Sequence, residues 1–423
     1  MKEKQTLKSL LTCLLSLGFE EVESTGEDII IQRFFDRVFR GYRVPVKYRV
    51  KKQHFKFIED EVRLKKEYKQ VGHCWIIGSN YAELLIHSYG RFSKHLVDHA
   101  ISEWGKISFG KKSEVVIGKA SDDFIGFFRF DPEFILFLGN LSPAEIVKTN
   151  DLTAFFEPPL TIRITRPKNI EFSINNVTSI ADTCLFHLAD FSHISLKLAS
   201  EWEPSGEKII FSQDGIKPPK NMELPKSLVS RELVNFYTRA INGTVPEYQF
   251  LGFYHCLEYF FLAVSDSILY QRVKTHLLSP SFSVTDQCID KIVFEIQKHR
   301  SEENEVIMLR QVLQQYVSNY ELERFISTFE KVREIKIYTD NREILGKQFH
   351  IDPKSKNVFD ILSQRIKHIR NEIVHSEDRR QRSKQRWIEL DSIAADELPL
   401  MRFLAQQVII ATSKPIELWE RED

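Results

Sequence analysis

Residues 361–387 read ILSQRIKHIRNEIVHSEDRRQRSKQRW. The first half is helical in pattern. Ile361, Leu362, Ile366, Ile369 and Ile373 recur at three- and four-residue steps and line one helix face. Near the end of that helix stand Arg370, Asn371 and His375, an R-N-x3-H arrangement within the wider Rx4–6H pattern. Asn371 and His375 are four apart and share a face. Arg370 lies one position earlier, about 100° round the helix, with a side chain long enough to swing toward the same cleft. The trio suits phosphodiester cleavage. An arginine fork neutralises a phosphate and the charge that develops on it. A histidine titrating near neutrality moves protons, and an asparagine amide holds the imidazole or the phosphate. Where the 2′-hydroxyl of RNA is the nucleophile, no metal is needed, and nothing in the pattern calls for a cofactor.

Outward from the trio, Arg379, Arg380, Arg382, Lys384 and Arg386 follow directly. From Ile361 to Trp387 there are eight Lys or Arg against three acids, a local excess of five. Next to a phosphodiester site this reads as a track for an RNA backbone. The whole chain, by contrast, holds 59 basic and 59 acidic residues. Net neutrality argues against a protein that coats nucleic acid or an anionic membrane over its whole surface. Any polyanion site must therefore be local.

The chain changes character near residue 225. Before it, β-like runs dominate: Ile29–Phe35, Val44–Val50, Cys74–Gly78, Glu114–Ile117, Phe124–Phe130, Phe134–Leu138, Leu160–Thr165, Ile170–Ile174 and Lys208–Phe211. Helical patterns over about 81–104 and 177–202 interrupt them. Residues 203–227 contain four prolines and two glycines, the chemistry of a connector. Beyond it helices are expected at about 227–241, 247–277, 284–299, 304–335, 356–376 and 391–413. The reading is an α+β chain: an N-terminal α+β region over 1–145, a continuation with the Pro-rich connector over 146–225, and an all-α bundle over 226–423. With 32 Phe and a hydrophobic fraction of 42%, there is material for packed cores.

Other signals carry less. His95 and His99 share a helix face but lack the glutamate of a zinc-protease motif and a third ligand. No phosphate-cradling glycine loop or nucleophile elbow occurs. The five cysteines are scattered and contain no CxxC pair, which points to reduced thiols. Lys47, Arg49, Lys51 and Lys52 read as the wet face of a strand. Leu7, Leu10, Leu11 and Leu14 fit an amphipathic helix rather than a signal peptide, because Lys8 and Ser9 interrupt the apolar run and no cleavage site follows. A cytoplasmic protein with no membrane segment is expected.

The Arg370-Asn371-x3-His375 element resembles the signature of HEPN domains, all-α RNase modules. Tyr254–Phe261 (YHCLEYFF) on an earlier helix and Asp396–Ile410 (DELPLMRFLAQQVII) are similar to the ApeA-like, abortive-infection subgroup of that family. The resemblance covers roughly 227–415 and leaves 1–225 unassigned. It implies an HEPN-like helical bundle and a homodimer in which the Arg and His of two protomers face each other across one cleft. By the same carry-over Arg370, Asn371 and His375 are the catalytic set, and Glu258 is the carboxylate that orients Arg370 or His375. An unpaired charge inside the aromatic run around Glu258 would be costly. The implied setting is toxin-like, anti-phage abortive infection, with the first 225 residues gating the nuclease through a trigger or regulator. Glu377 stands where a nucleotidylated variant of the family has Tyr, so that regulation is not suggested. The alternative is a non-catalytic HEPN-like dimerisation or RNA-binding module, which capping of Arg370 and His375 by local carboxylates would favour.

Overall fold

The structure is a computed structural model of the 423-residue chain. It describes residues 15, 20–25, 28–34, 45–51, 55–88, 106–110, 114–129, 131, 133–134, 137, 158–165, 173–192, 195–202, 221–302, 304–375 and 384–415. The chain is mixed α/β, with a sheet region in its N-terminal part and a mostly helical C-terminal half. It divides into two compact units, Met1–Pro225 and Lys226–Asp423.

In the first unit, β1 (Glu20–Thr25), β2 (Asp28–Phe34) and β3 (Pro45–Lys51) form an antiparallel sheet in that order. Helix α1 (Phe55–Glu67) leads into an eight-stranded sheet. Its strands are β4 (Lys69–Val71), β5 (Trp75–Ile77), β6 (Tyr81–Ser88), β7 (Lys106–Phe109), β8 (Val115–Lys119), β9 (Leu160–Thr165), β10 (Leu196–Leu198) and β11 (Asn221–Met222). The spatial order is β11-β7-β8-β9-β6-β5-β4, with β10 also paired to β6. Helices α2 (Asp122–Phe128) and α3 (Ile174–Ser192) complete the unit.

Several sequence expectations change here. Residues 81–88 form strand β6, not the start of a helix. β6 pairs with β9 on one edge and with β5 and β10 on the other, and Ala82–Ile86 are all buried. A strand covered on both faces shows an unbroken buried run, and the run gives no period by which to tell it from a helix. Phe124–Phe128 is helical, not extended. Ser121 caps the helix by accepting from the Phe124 amide at 3.1 Å, with Asp122 and Asp123 in the first turn. Phe134 and Phe137 also have helical backbone. Ile174 begins α3, whereas residues 170–172 and 208–211, the helix of Leu7, Leu10, Leu11 and Leu14, and the 89–104 segment lie outside the described residues. A domain break near residue 145 does not occur, because β9 inserts between β6 and β8 in one sheet. That sheet is pinned by the buried Glu83 carboxylate. It accepts from the Ser121 amide at 2.9 Å, from the Thr161 hydroxyl at 2.7 Å and from the Tyr81 hydroxyl.

The second unit opens with β12 (Ser227–Leu228), which pairs antiparallel with β15 (Lys414–Pro415) and ties its start to its end. Between them run α4 (Arg231–Asn242), α5 (Pro246–Glu258), α6 (Phe261–Leu277), α7 (Asp286–Glu302), α8 (Glu305–Tyr316) and α9 (Asn319–Arg333). A hairpin of β13 (Arg342–Ile344) and β14 (Lys347–Phe349) follows, then α10 (Val358–Val374) and α11 (Lys384–Thr412). The long helices expected over 247–277 and 304–335 are each broken into two, at Tyr259–Phe260 and Val317–Ser318. The hairpin carries no turn signal in the sequence, because its turn rests on Leu345 and Gly346, both at positive φ, rather than on Asn-Gly or Asp-Gly. Helix α5 packs against α4 and α11. At Gly252 a Cβ would sit 2.7 Å from that of Ala240, so glycine allows α4 and α5 to approach this closely.

Helix α10 buries Val358, Leu362, Ile366, Ile369 and Ile373, matching the apolar stripe read in the sequence except at Ile361, which is half-buried. The hairpin of α6 and α7 is different. Leu262, Tyr270, Leu278, Val284 and Phe294 are each more than 60% exposed there. Among the described residues, no helix is long and apolar enough to cross a membrane.

Candidate functional site

The site forms where the last turn of α10 meets the C-terminal turn of α5 and the first turn of α8. The inward face of α10 is apolar, so Lys367, Arg370 and Asn371 fall on the outer side, half-buried. His375 caps the helix. Its amide donates to the Asn371 carbonyl at 3.0 Å, and its side chain is exposed. Arg370 Nη1 donates to Asn371 Oδ1 at 3.5 Å. The helix thus brings together Arg370 and Asn371 and sets His375 one turn beyond Asn371.

The carboxylate facing Arg370 is Glu305, at the start of α8. Its Oε1 lies 3.7 Å from Arg370 Nε. The same carboxylate accepts from the Tyr254 hydroxyl and pairs with the Lys367 ammonium. Tyr254 is fully buried, and its ring lies under the Arg370 guanidinium, 5.7 Å from Cζ to centroid. Burial pushes the Tyr254 phenol above its ordinary value. The charge of Glu258 adds to this, and Arg370 partly offsets it. Tyr254 therefore stays protonated and serves as a donor at neutral pH.

Glu258 does not take the place expected of it. It closes α5 and binds His255 Nδ1 at 2.9 Å, on a half-exposed helix face. It acts on the cluster only through its charge, felt by Tyr254 and Lys367. His368, on the neighbouring face, is bound to the Ile344 carbonyl at 3.0 Å and lies beside Phe349. It serves the β13–β14 hairpin. Arg379, Arg380 and Arg382 lie outside the described residues. Lys384 and Arg386 fall in the first turn of α11, but their side chains are outside the description. The same holds for His95, His99, Lys52 and the side chains of Lys47, Arg49 and Lys51.

Glu305 was legible only as a favourable acid at a helix start. It follows Asn304, which caps α8 by accepting from the Ile307 amide. Nothing in the sequence links it to a residue 65 positions later.

On the opposite side of α10 lies a second, fully buried ion pair. Arg365 Nε donates to Glu397 at 3.2 and 3.3 Å, and Nη2 also reaches that carboxylate. Arg365 covers the Tyr338 ring, and the Tyr338 hydroxyl donates to the Asp396 carbonyl at 2.9 Å. This pair locks α10 to α11 and presents no open edge.

No protein-family model matches the chain, and no curated protein or solved structure shows similarity to it. The functional reading therefore rests on the residues themselves.

Proposed function

We propose that the chain is a metal-independent HEPN-type endoribonuclease, a toxin-like effector of anti-phage abortive infection gated by its first 225 residues. The observation that carries this reading is the state of Arg370. It is half-buried beside Asn371, yet its Nη2 has no hydrogen bond or ion pair with a described residue. A guanidinium whose Nε and Nη1 face Glu305 and Asn371 while Nη2 stays unengaged can offer that nitrogen to a phosphate. His375 at the exposed helix end supplies the group that moves protons. In the reaction the 2′-hydroxyl oxygen attacks the adjacent phosphorus and loses its proton to a base. The P–O5′ bond breaks, the 5′-oxygen takes up a proton, and a 2′,3′-cyclic phosphate remains.

One copy supplies a single Arg370 and a single His375. A homodimer would bring both pairs to one cleft, and the exposed apolar residues of α6 and α7 support self-association. The basic run from Arg379 to Arg386 supplies cations for the RNA backbone beyond the cleft. The alternative, a non-catalytic HEPN-like module, draws support from Glu305, a local carboxylate facing Arg370.

The test is expression of wild type, Arg370→Ala and His375→Ala in growing cells, with total RNA examined on gels. The ribonuclease reading expects RNA loss and growth arrest from wild type alone once triggered. Equal toxicity from all three, or intact RNA during arrest, favours the module.

A further inference from the structure

We propose that Glu305 is a positioning residue for Arg370, an inference that rests on the ribonuclease reading above. Three donors from two helices converge on the Glu305 carboxylate: the Tyr254 hydroxyl from α5, and the Lys367 ammonium and the Arg370 guanidinium from α10. Tyr254 and Lys367 bind the carboxylate directly, whereas Arg370 stands off at 3.7 Å. Glu305 touches only the Nε edge, while the Tyr254 ring supports the guanidinium plane from below. That combination sets the plane and direction of the guanidinium without occupying both of its nitrogens. A carboxylate that capped Arg370 as an inhibitor would take the two-nitrogen edge, as Glu397 does with Nε and Nη2 of Arg365. Lys367 is drawn into the same clamp. The charge of Glu258 also reaches Lys367, so Lys367 is balanced from two sides.

The experiment uses the full chain and two readouts. First, Arg370 modification by phenylglyoxal is followed by mass spectrometry. Glu305→Gln should speed it at least about 3-fold by removing the charge that stabilises the guanidinium, and Glu305→Asp should stay near the wild-type rate. Second, RNA cleavage by Glu305→Gln should show kcat lowered roughly 10- to 100-fold, with KM unchanged or lower and an unaltered unfolding midpoint. Glu305→Asp should recover most of that loss. Should Glu305→Gln fail to fold, Tyr254→Phe, which removes one anchor of the carboxylate, should show a smaller fall in kcat with the same unchanged KM. Faster cleavage by Glu305→Gln would make Glu305 an inhibitory cap and overturn the proposal. So would unchanged Arg370 reactivity, or a loss confined to stability. If Arg370 reactivity responds but wild type never cuts RNA, the positioning stands and the ribonuclease reading falls.

Discussion

Arg365 and Arg370 face opposite sides of the same helix, each against a glutamate. On the inner side, the Arg365–Glu397 side chains are 0% and 1% exposed, and three contacts join guanidinium to carboxylate. On the outer side, Arg370 and Glu305 are 24% and 27% exposed, and only Nε meets the carboxylate. The inner pair has lost its water on both partners, so each charge depends mainly on the other. The outer pair keeps part of its hydration, and Arg370 Nη2 stays unengaged. The first arrangement fixes two helices and can do little else. The second leaves a charge in place that a ligand can still use.

Breaking the inner pair should give the largest effect. Arg365→Ala would leave Glu397 charged and buried, at a cost of about 3–5 kcal/mol in unfolding free energy. Denaturant titration measures it, and a loss under about 1 kcal/mol would erase the contrast between the two sides. Next, Arg370→Ala should alter stability by less than about 1 kcal/mol while lowering RNA cleavage by more than about 100-fold. Comparable loss of both would make Arg370 a second structural arginine. Replacing the inner pair together, Arg365→Met with Glu397→Leu, should recover most of the stability lost in Arg365→Ala, because the cost lies in the orphaned charge rather than in a missing attraction. Arg365 Nη1 already has no hydrogen-bond partner, so the pair starts from an incomplete network.

The smallest effect concerns another buried acid, Glu247, in the first turn of α5. Burial pushes its carboxyl above the ordinary glutamate value, and the nearby Asp391 adds to this. A raised carboxyl contributes stability that is present below its unfolded value and lost as pH rises through its folded value. The unfolding temperature of Glu247→Gln should therefore gain on wild type as pH rises above about 4. A gap that does not change with pH would show that burial does not raise the Glu247 carboxyl.

The sequence revealed more about the outer side of α10 than about what surrounds it. The apolar stripe of Leu362, Ile366, Ile369 and Ile373 fixed which face was buried, and with it the half-exposed position of Arg370 and Asn371. The partners were less legible. The aromatic run around Glu258 points to it as the carboxylate, yet the helix ends there and Glu258 binds His255. Glu305 is brought in by the packing of α8 on α10, a tertiary event that no local pattern encodes. Arg365 shows the converse. It reads as one more cation of a basic segment, and only its pairing with Glu397 permits its burial. In the first unit, β6 was misread because both of its faces are covered, and α2 because phenylalanine content outweighed a Ser-Asp-Asp cap.

The central claim is that Arg370 and His375 cleave RNA without metal. The most direct measurement is incubation of the purified full-length chain and its His375→Ala variant with RNA in EDTA, with the new 3′ ends analysed chemically. Ends carrying 2′,3′-cyclic phosphate from wild type, and none from His375→Ala, are the predicted result. Cleavage that survives the substitution, or that requires added divalent metal, would contradict it.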